Sequence, residues 1–162
     1  MERVKEPEPP KGLGRILFRL PITLFRFKLG WLLGDRFLLL HHTGRKSGQP
    51  RRAVVEVIKH DQGSDAYFAA SGYGAQSDWY RNILAEPEVT IEVGRRTIAA
   101  TATPLPAEEA GEVMVDYGTR HPKTAKNVLA KLMGISVDGS AADFREAGRT
   151  IDIIRFDRRR GA

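Results

Sequence analysis

The sequence contains no cysteine. That absence excludes disulfides, thiolate metal sites and cysteine nucleophiles together, and it agrees with a reducing compartment such as the cytoplasm. Histidine is scarce: the four present, at 41, 42, 60 and 121, show no ligand spacing. His41 and His42 are neighbours on an expected strand and so point to opposite faces. No metal site is expected. A Gly-x-Ser-x-Gly elbow, a His-Glu-x-x-His pair and a complete P-loop are all missing. No secretory signal is recognised, and no apolar run reaches, free of charge, the roughly 20 residues a spanning helix needs. Chemistry on this scaffold is therefore expected to belong to a cofactor.

What the chain has in excess is positive charge. Its 162 residues carry 26 Lys and Arg against 20 Asp and Glu, a formal net charge of +6. The length suits one domain, and the 41% of hydrophobic residues can fill its core. We expect a disordered, Pro-rich arm over residues 1–11, a single domain over 12–157 and a basic tail over 158–162. The surplus charge calls for an anionic partner: a phosphorylated cofactor, a membrane surface or a nucleic acid. The aromatics are not interleaved with the basic residues as a stacking platform requires, which argues against nucleic acid.

After the arm, "LGRILFRLPITLFRFKLGWLL" has helical periodicity. Arg15, Arg19 and Arg26 fall on one arc, opposite Leu13, Ile16, Leu17, Leu20, Leu24 and Phe27. This is an amphipathic helix with Pro21 as a kink point. It either packs on the core with its arginines in water or lies on the anionic inner face of a membrane as a peripheral contact.

Strand signals follow over Arg36–Thr43, Arg51–His60 and Ala66–Gly72, with "DQGSD" as a turn between the second and third. "QSDWYRNILAEP" suits a short helix capped by Ser77 and stopped before Pro87. "EVTIEV", "GRR" and "TIAATATPL" make a hairpin. A helix is expected from Pro106 to about Tyr117, another over "HPKTAKNVLAKLMG" to Gly134, and a short one after a Ser140–Asp143 capping box. "TIDIIRF" is the last strand. About six strands in hairpin order, with helices inserted and appended, predict an α+β fold with a mostly antiparallel sheet or small barrel.

Two stretches carry the chemistry. The turn "TGRKSGQPRR" joins two strands and concentrates Arg45, Lys46, Arg51 and Arg52 around Gly44, Ser47 and Gly48. Guanidinium forks, an ammonium and a hydroxyl are the donors a phosphate or carboxylate takes, and the glycines would let backbone N–H groups face it. A solvated basic turn is the alternative. The second stretch, "AASGYGAQSDWYRN", ends a strand in small residues and opens a helix with Trp79 and Tyr80. A flat ring could approach such a backbone under an aromatic cover, or Trp79 could simply anchor the helix in the core.

Taken together, "LLLHHTGRKSGQPRR" and "AYFAASGYGAQSDWYRNILAEPEVTIEVG" closely resemble the deazaflavin-dependent nitroreductase family of the flavin/deazaflavin oxidoreductases, over roughly residues 30 to 105. The resemblance implies a split β-barrel, mostly antiparallel, and the cofactor coenzyme F420, a deazaflavin bearing a phosphate and an oligoglutamate tail. It implies that Arg45, Lys46, Ser47, Gly48 and Arg51 grip the phosphate and tail. Arg52, Ala53, Val54, Val55 and Glu56 would line the groove. Ala69, Ala70, Ser71 and Gly72 would meet the deazaflavin side, and Asp78, Trp79, Tyr80 and Asn82 would complete the pocket. Several relatives carry a lysine after the Ala-Ala-Ser; Gly72 and Tyr73 stand there in this chain, and Arg52 is the expected substitute.

The implied activity is an F420-dependent reductase that transfers a hydride to an electron-poor quinone, enone or nitroaromatic. Tyr73, Tyr80, Tyr117 and His121 are the candidate proton donors. An FMN enzyme of the same fold and a non-catalytic cofactor- or anion-binding module are the alternatives. The oligomeric state is not legible.

Overall fold

The computed structural model describes residues 1–3, 24–25, 29–71 and 77–160. The expected arm and most of the amphipathic helix lie outside these residues, as do Gly72 and Tyr73. Leu24 and Phe25, within the expected helix, are helical, and Phe25 is buried. Among the described residues no helix is long and apolar enough to cross a membrane.

The central element is a closed, wholly antiparallel six-stranded barrel in the order β2–β3–β4–β8–β6–β5. Its strands are β2 (Phe37–Thr43), β3 (Pro50–Asp61), β4 (Ala66–Ser71), β5 (Glu88–Val93), β6 (Arg96–Pro104) and β8 (Asp152–Arg158). Two short strands, β1 (Glu2–Arg3) and β7 (Ile135–Ser136), pair beside it. Alternation decides which face is which. Leu38 and Leu40 of β2, Val89, Ile91 and Val93 of β5, and Ile98, Ala100 and Ala102 of β6 fill the barrel with Tyr67, Ala69, Ile154 and Phe156.

The helices are α1 (Asp78–Ala85), α2 (Ala107–Arg120), α3 (Pro122–Met133) and α4 (Ala141–Thr150). A second core lies outside the barrel, where Met114, Tyr117, Leu129 and Phe144 from α2, α3 and α4 cover Phe68 of β4 and Ile153 of β8. Strand β4 is therefore packed on both faces, which is why "AYFAAS" is apolar up to Ser71 rather than alternating.

The local signals mostly mark the right places. α3 stops at Gly134, and Ser140 caps α4 by accepting the Asp143 N–H at 3.1 Å. The reciprocal half of the capping box goes elsewhere: the Asp143 carboxylate accepts from the Asp138 N–H at 2.8 Å. Ser77 precedes α1 but makes no side-chain capping bond. α2 runs one turn past Tyr117, to Arg120, whose guanidinium donates to the Ile58 carbonyl at 3.0 Å. Strand β8 extends to Arg158, which pairs with Ala100, because the nine-residue β6 offers partners to that point.

Candidate functional site

The basic turn between β2 and β3 is closed by its own backbone. Gly44 N–H donates to the Gln49 carbonyl and Gly48 N–H to the Gly44 carbonyl, both at 2.8 Å. Gly48 adopts φ 68°, a conformation side chains rarely take, and a Cβ on Gly44 would sit 2.6 Å from Ser47 Oγ. The glycine N–H groups thus build the turn rather than face a ligand, which corrects the expectation that they would be exposed donors. Ser47 Oγ accepts the Gln49 N–H at 3.2 Å, and its own hydrogen remains to give. The charged donors available to an anion are side chains.

One of them, Arg45, is held by α1. Asn82, 4% exposed, accepts through Oδ1 from the Arg45 backbone N–H at 3.1 Å and from Arg45 Nη1 at 2.9 Å. Asp78 adds an exposed contact to the same guanidinium at 3.3 Å. Asn82 Nδ2 lies 3.1 Å from His42 Nδ1. Helix α1 therefore pins the turn to the barrel wall and orients Arg45.

The turn, the start of β3 and α1 enclose a cleft of about 580 Å³. Of the residues expected in the site, Arg45, Lys46, Ser47, Arg51, Arg52, Ala53, Asp78, Trp79 and Asn82 line it. His42 and Gly44 line it as well. Gly48 shapes the turn without reaching the wall. Val55 and Ala69 are buried in the barrel core, and Val54, Glu56, Ala70 and Ser71 lie elsewhere on β3 and β4. Trp79 stands edge-on to Tyr80, whose hydroxyl donates to Asp152 at 3.3 Å, away from the cleft wall. Among the described residues, Lys46, Arg51 and Arg52 have no acidic partner; Arg45 alone is paired, with Asp78.

A smaller cavity of about 240 Å³ lies further along β3, against α2. Tyr117, 3% exposed, donates its hydroxyl to Glu56 Oε1 at 3.1 Å. Burial raises the Glu56 carboxyl above its ordinary range, opposed by the Tyr117 hydrogen bond. Burial first, then the charge of Glu56, pushes the Tyr117 phenol well above its usual value. His121 is tilted against Tyr117 with ring centroids 6.0 Å apart, and both line this cavity. Sixty-one positions separate Glu56 from Tyr117, so the pair was not readable from spacing. The sequence marks His42 only by its place two residues before Gly44 of the turn.

Over residues 28–132 the chain matches the family described as F420H(2)-dependent quinone reductase. The chain belongs to that family. It is 37% identical over 104 residues to the F420H(2)-dependent quinone reductase of Mycobacterium tuberculosis, covering 59% of this chain and 67% of that one. Two solved structures share the fold alone. An F420-H2 dependent reductase superposes with a TM-score of 0.53 at 21% identity, covering 76% of this chain and 96% of that one. The heme storage protein HutZ of Vibrio cholerae gives 0.52 at 16%, covering 85% and 92%.

The family's hydride donor is F420H2 and its activity is quinone reduction. The residues present suit that cofactor. A phosphate with a polyglutamate tail needs several cations, and the cleft supplies three without carboxylate partners plus an oriented fourth. A single FMN phosphate would use only part of that set.

Proposed function

We propose that the cleft beside α1 holds the phosphate and glutamate tail of F420, with Arg45, Lys46, Ser47, Arg51 and Arg52 as the clamp. Trp79 and Ala53 form the apolar part of the wall. The observation that carries this reading is the set of cations in one cleft with almost no internal carboxylate to neutralise them. When bound, F420H2 supplies the hydride that reduces a quinone.

A quinone that accepts a hydride also needs a proton. Among the described candidate donors, Tyr117 is the buried one, and its hydroxyl meets the half-buried Glu56 carboxylate. Glu56 lies four residues from Arg52 on the same face of β3, about 13 Å along an extended strand. In this reading Tyr117 Oη gives its proton to the reduced quinone oxygen and regains one from Glu56, whose hold on a proton burial strengthens. Steady-state turnover of Glu56→Gln and Tyr117→Phe tests the assignment. Each change lowers kcat with a quinone by roughly ten- to a hundredfold and leaves F420H2 affinity unchanged. The acid must be protonated to act, so wild-type kcat falls as pH rises through the elevated Glu56 pKa, and Glu56→Gln removes that limb. Unchanged turnover in both variants sinks the relay.

A second observation supports contact with a membrane. Beside the barrel, the 3-10 turn Gly30–Leu33 exposes Trp31 and Leu32, the latter 57% exposed, and the Arg95 guanidinium sits 4.6 Å from the Trp31 ring centroid. Exposed Trp and Leu beside arginine is the composition of an interfacial anchor, and it would serve a lipophilic quinone. Co-sedimentation with anionic vesicles at low salt is expected to capture the wild type and to lose it in Trp31→Ala/Leu32→Ala. Equal behaviour of both proteins rejects the anchor.

A further inference from the structure

His42 is the one residue of the cleft wall whose ionic state is set by the fold and whose role the clamp does not assign. It is 7% exposed yet lines the cleft between Arg45 and Arg51. Its protonation can be read from its neighbours. A backbone N–H can only donate, so the Arg45 N–H places Asn82 Oδ1 toward Arg45. The amide nitrogen of Asn82 then faces His42 and donates to Nδ1 at 3.1 Å. Nδ1 is therefore the acceptor, and the ring proton sits on Nε2. Burial first, then Arg51, lowers the His42 pKa to about 4, so the ring is neutral where cells operate.

We propose that His42 is an uncharged hydrogen-bond donor, through Nε2, to an oxygen of the anionic group held in the cleft, and that Asn82 fixes it in that tautomer. The assignment rests on the clamp reading above. Asn82 couples the two kinds of donor: one amide orients the Arg45 guanidinium through Oδ1 and the imidazole through Nδ2. The fold gains from using a neutral ring here. A further cation would meet Arg51 in a half-dry wall, whereas a neutral N–H adds direction without adding repulsion.

Binding is followed by quenching of tryptophan fluorescence, since Trp79 lines the same cleft. Two probes are compared: F420, and the 8-hydroxy-5-deazaflavin riboside that lacks the phosphate and tail. His42→Phe keeps a planar ring and removes both nitrogens, and His42→Gln keeps polarity should the first variant fold poorly. Either substitution is expected to weaken F420 by roughly ten- to a hundredfold and to leave riboside affinity unchanged. Nitrogen-15 NMR of the wild-type histidines adds a readout free of mutation: Nε2 carries the proton before binding, and its N–H resonance moves on addition of F420 but not of the riboside. Equal weakening of both probes, or a proton found on Nδ1, overturns the role of His42. A wild type that binds both probes equally overturns the clamp itself. A wild type that prefers F420, with that preference intact in both variants, leaves the clamp and removes His42 from it.

Discussion

Strand β3 ends in two turns about 36 Å apart along its length, and cations gather at both. At the Asp61–Asp65 end they are answered internally. Asp65 accepts two bonds from Arg96, lies 2.9 Å from His60 Nε2 and 3.8 Å from Arg158, and His60 stacks on Tyr67 at 4.1 Å. Arg96 first and His60 second hold its carboxyl far below the usual range. At the Gly44–Pro50 end, among the described residues, Arg45 alone of four cations meets a carboxylate, that of the 81% exposed Asp78. Charge with its counter-charge built in stabilises the fold, whereas charge left open in a cleft is set for a ligand.

Four experiments break or sharpen that contrast. The largest effect is expected from Arg45→Ala with Lys46→Ala, which costs F420 affinity roughly a hundredfold while the urea midpoint barely moves. A large stability loss with unchanged affinity would reverse the roles of the two turns. Asp65→Asn does the opposite. Asparagine tolerates the φ of 58° at that position, so the change isolates the charge. Stability falls by about 1–2 kcal/mol in denaturant titration, and F420 affinity does not change.

A smaller effect comes from pH. His42 has a folded pKa near 4 against an ordinary 6.5, so the unfolded chain binds the extra proton. The stability this neutral ring allows is full above pH 6.5 and declines as pH falls toward 4. Relative to pH 7, wild type at pH 5.5 loses about 1 kcal/mol more than His42→Gln. Matching losses would mean that His42 titrates normally. The smallest change is with salt. Raising ionic strength weakens F420 binding a few-fold, since most clamp cations are exposed, and leaves the melting temperature almost unmoved.

Much of the barrel was legible because its signals are local. Val89, Ile91 and Val93 alternate with polar residues, Gly94 marks the hairpin and Gly134 ends α3, each through a neighbour one or two positions away. The basic turn was legible by composition, as was its likeness to an anion site. Three things were not. The Gly44 and Gly48 N–H groups looked free because their acceptors depend on how the turn closes. The resemblance puts Tyr80 in the pocket with Trp79, yet consecutive helical residues point about 100° apart, and its hydroxyl reaches β8 instead. His42 is a strand residue, and nothing near it in sequence signals that Asn82 meets it.

The sequence by itself determined the strand pattern, the excess of cations at one turn and the family to which the chain belongs. These follow from residue type and short spacing. Only the tertiary structure decided what those cations face and which groups hold their protons. Asn82 reaches His42 across 40 positions and Tyr117 reaches Glu56 across 61, contacts that exist because the barrel closes in one register and packs α1 and α2 against it. Burial then shifts both ionisations, and burial is a property of the assembled fold rather than of any segment.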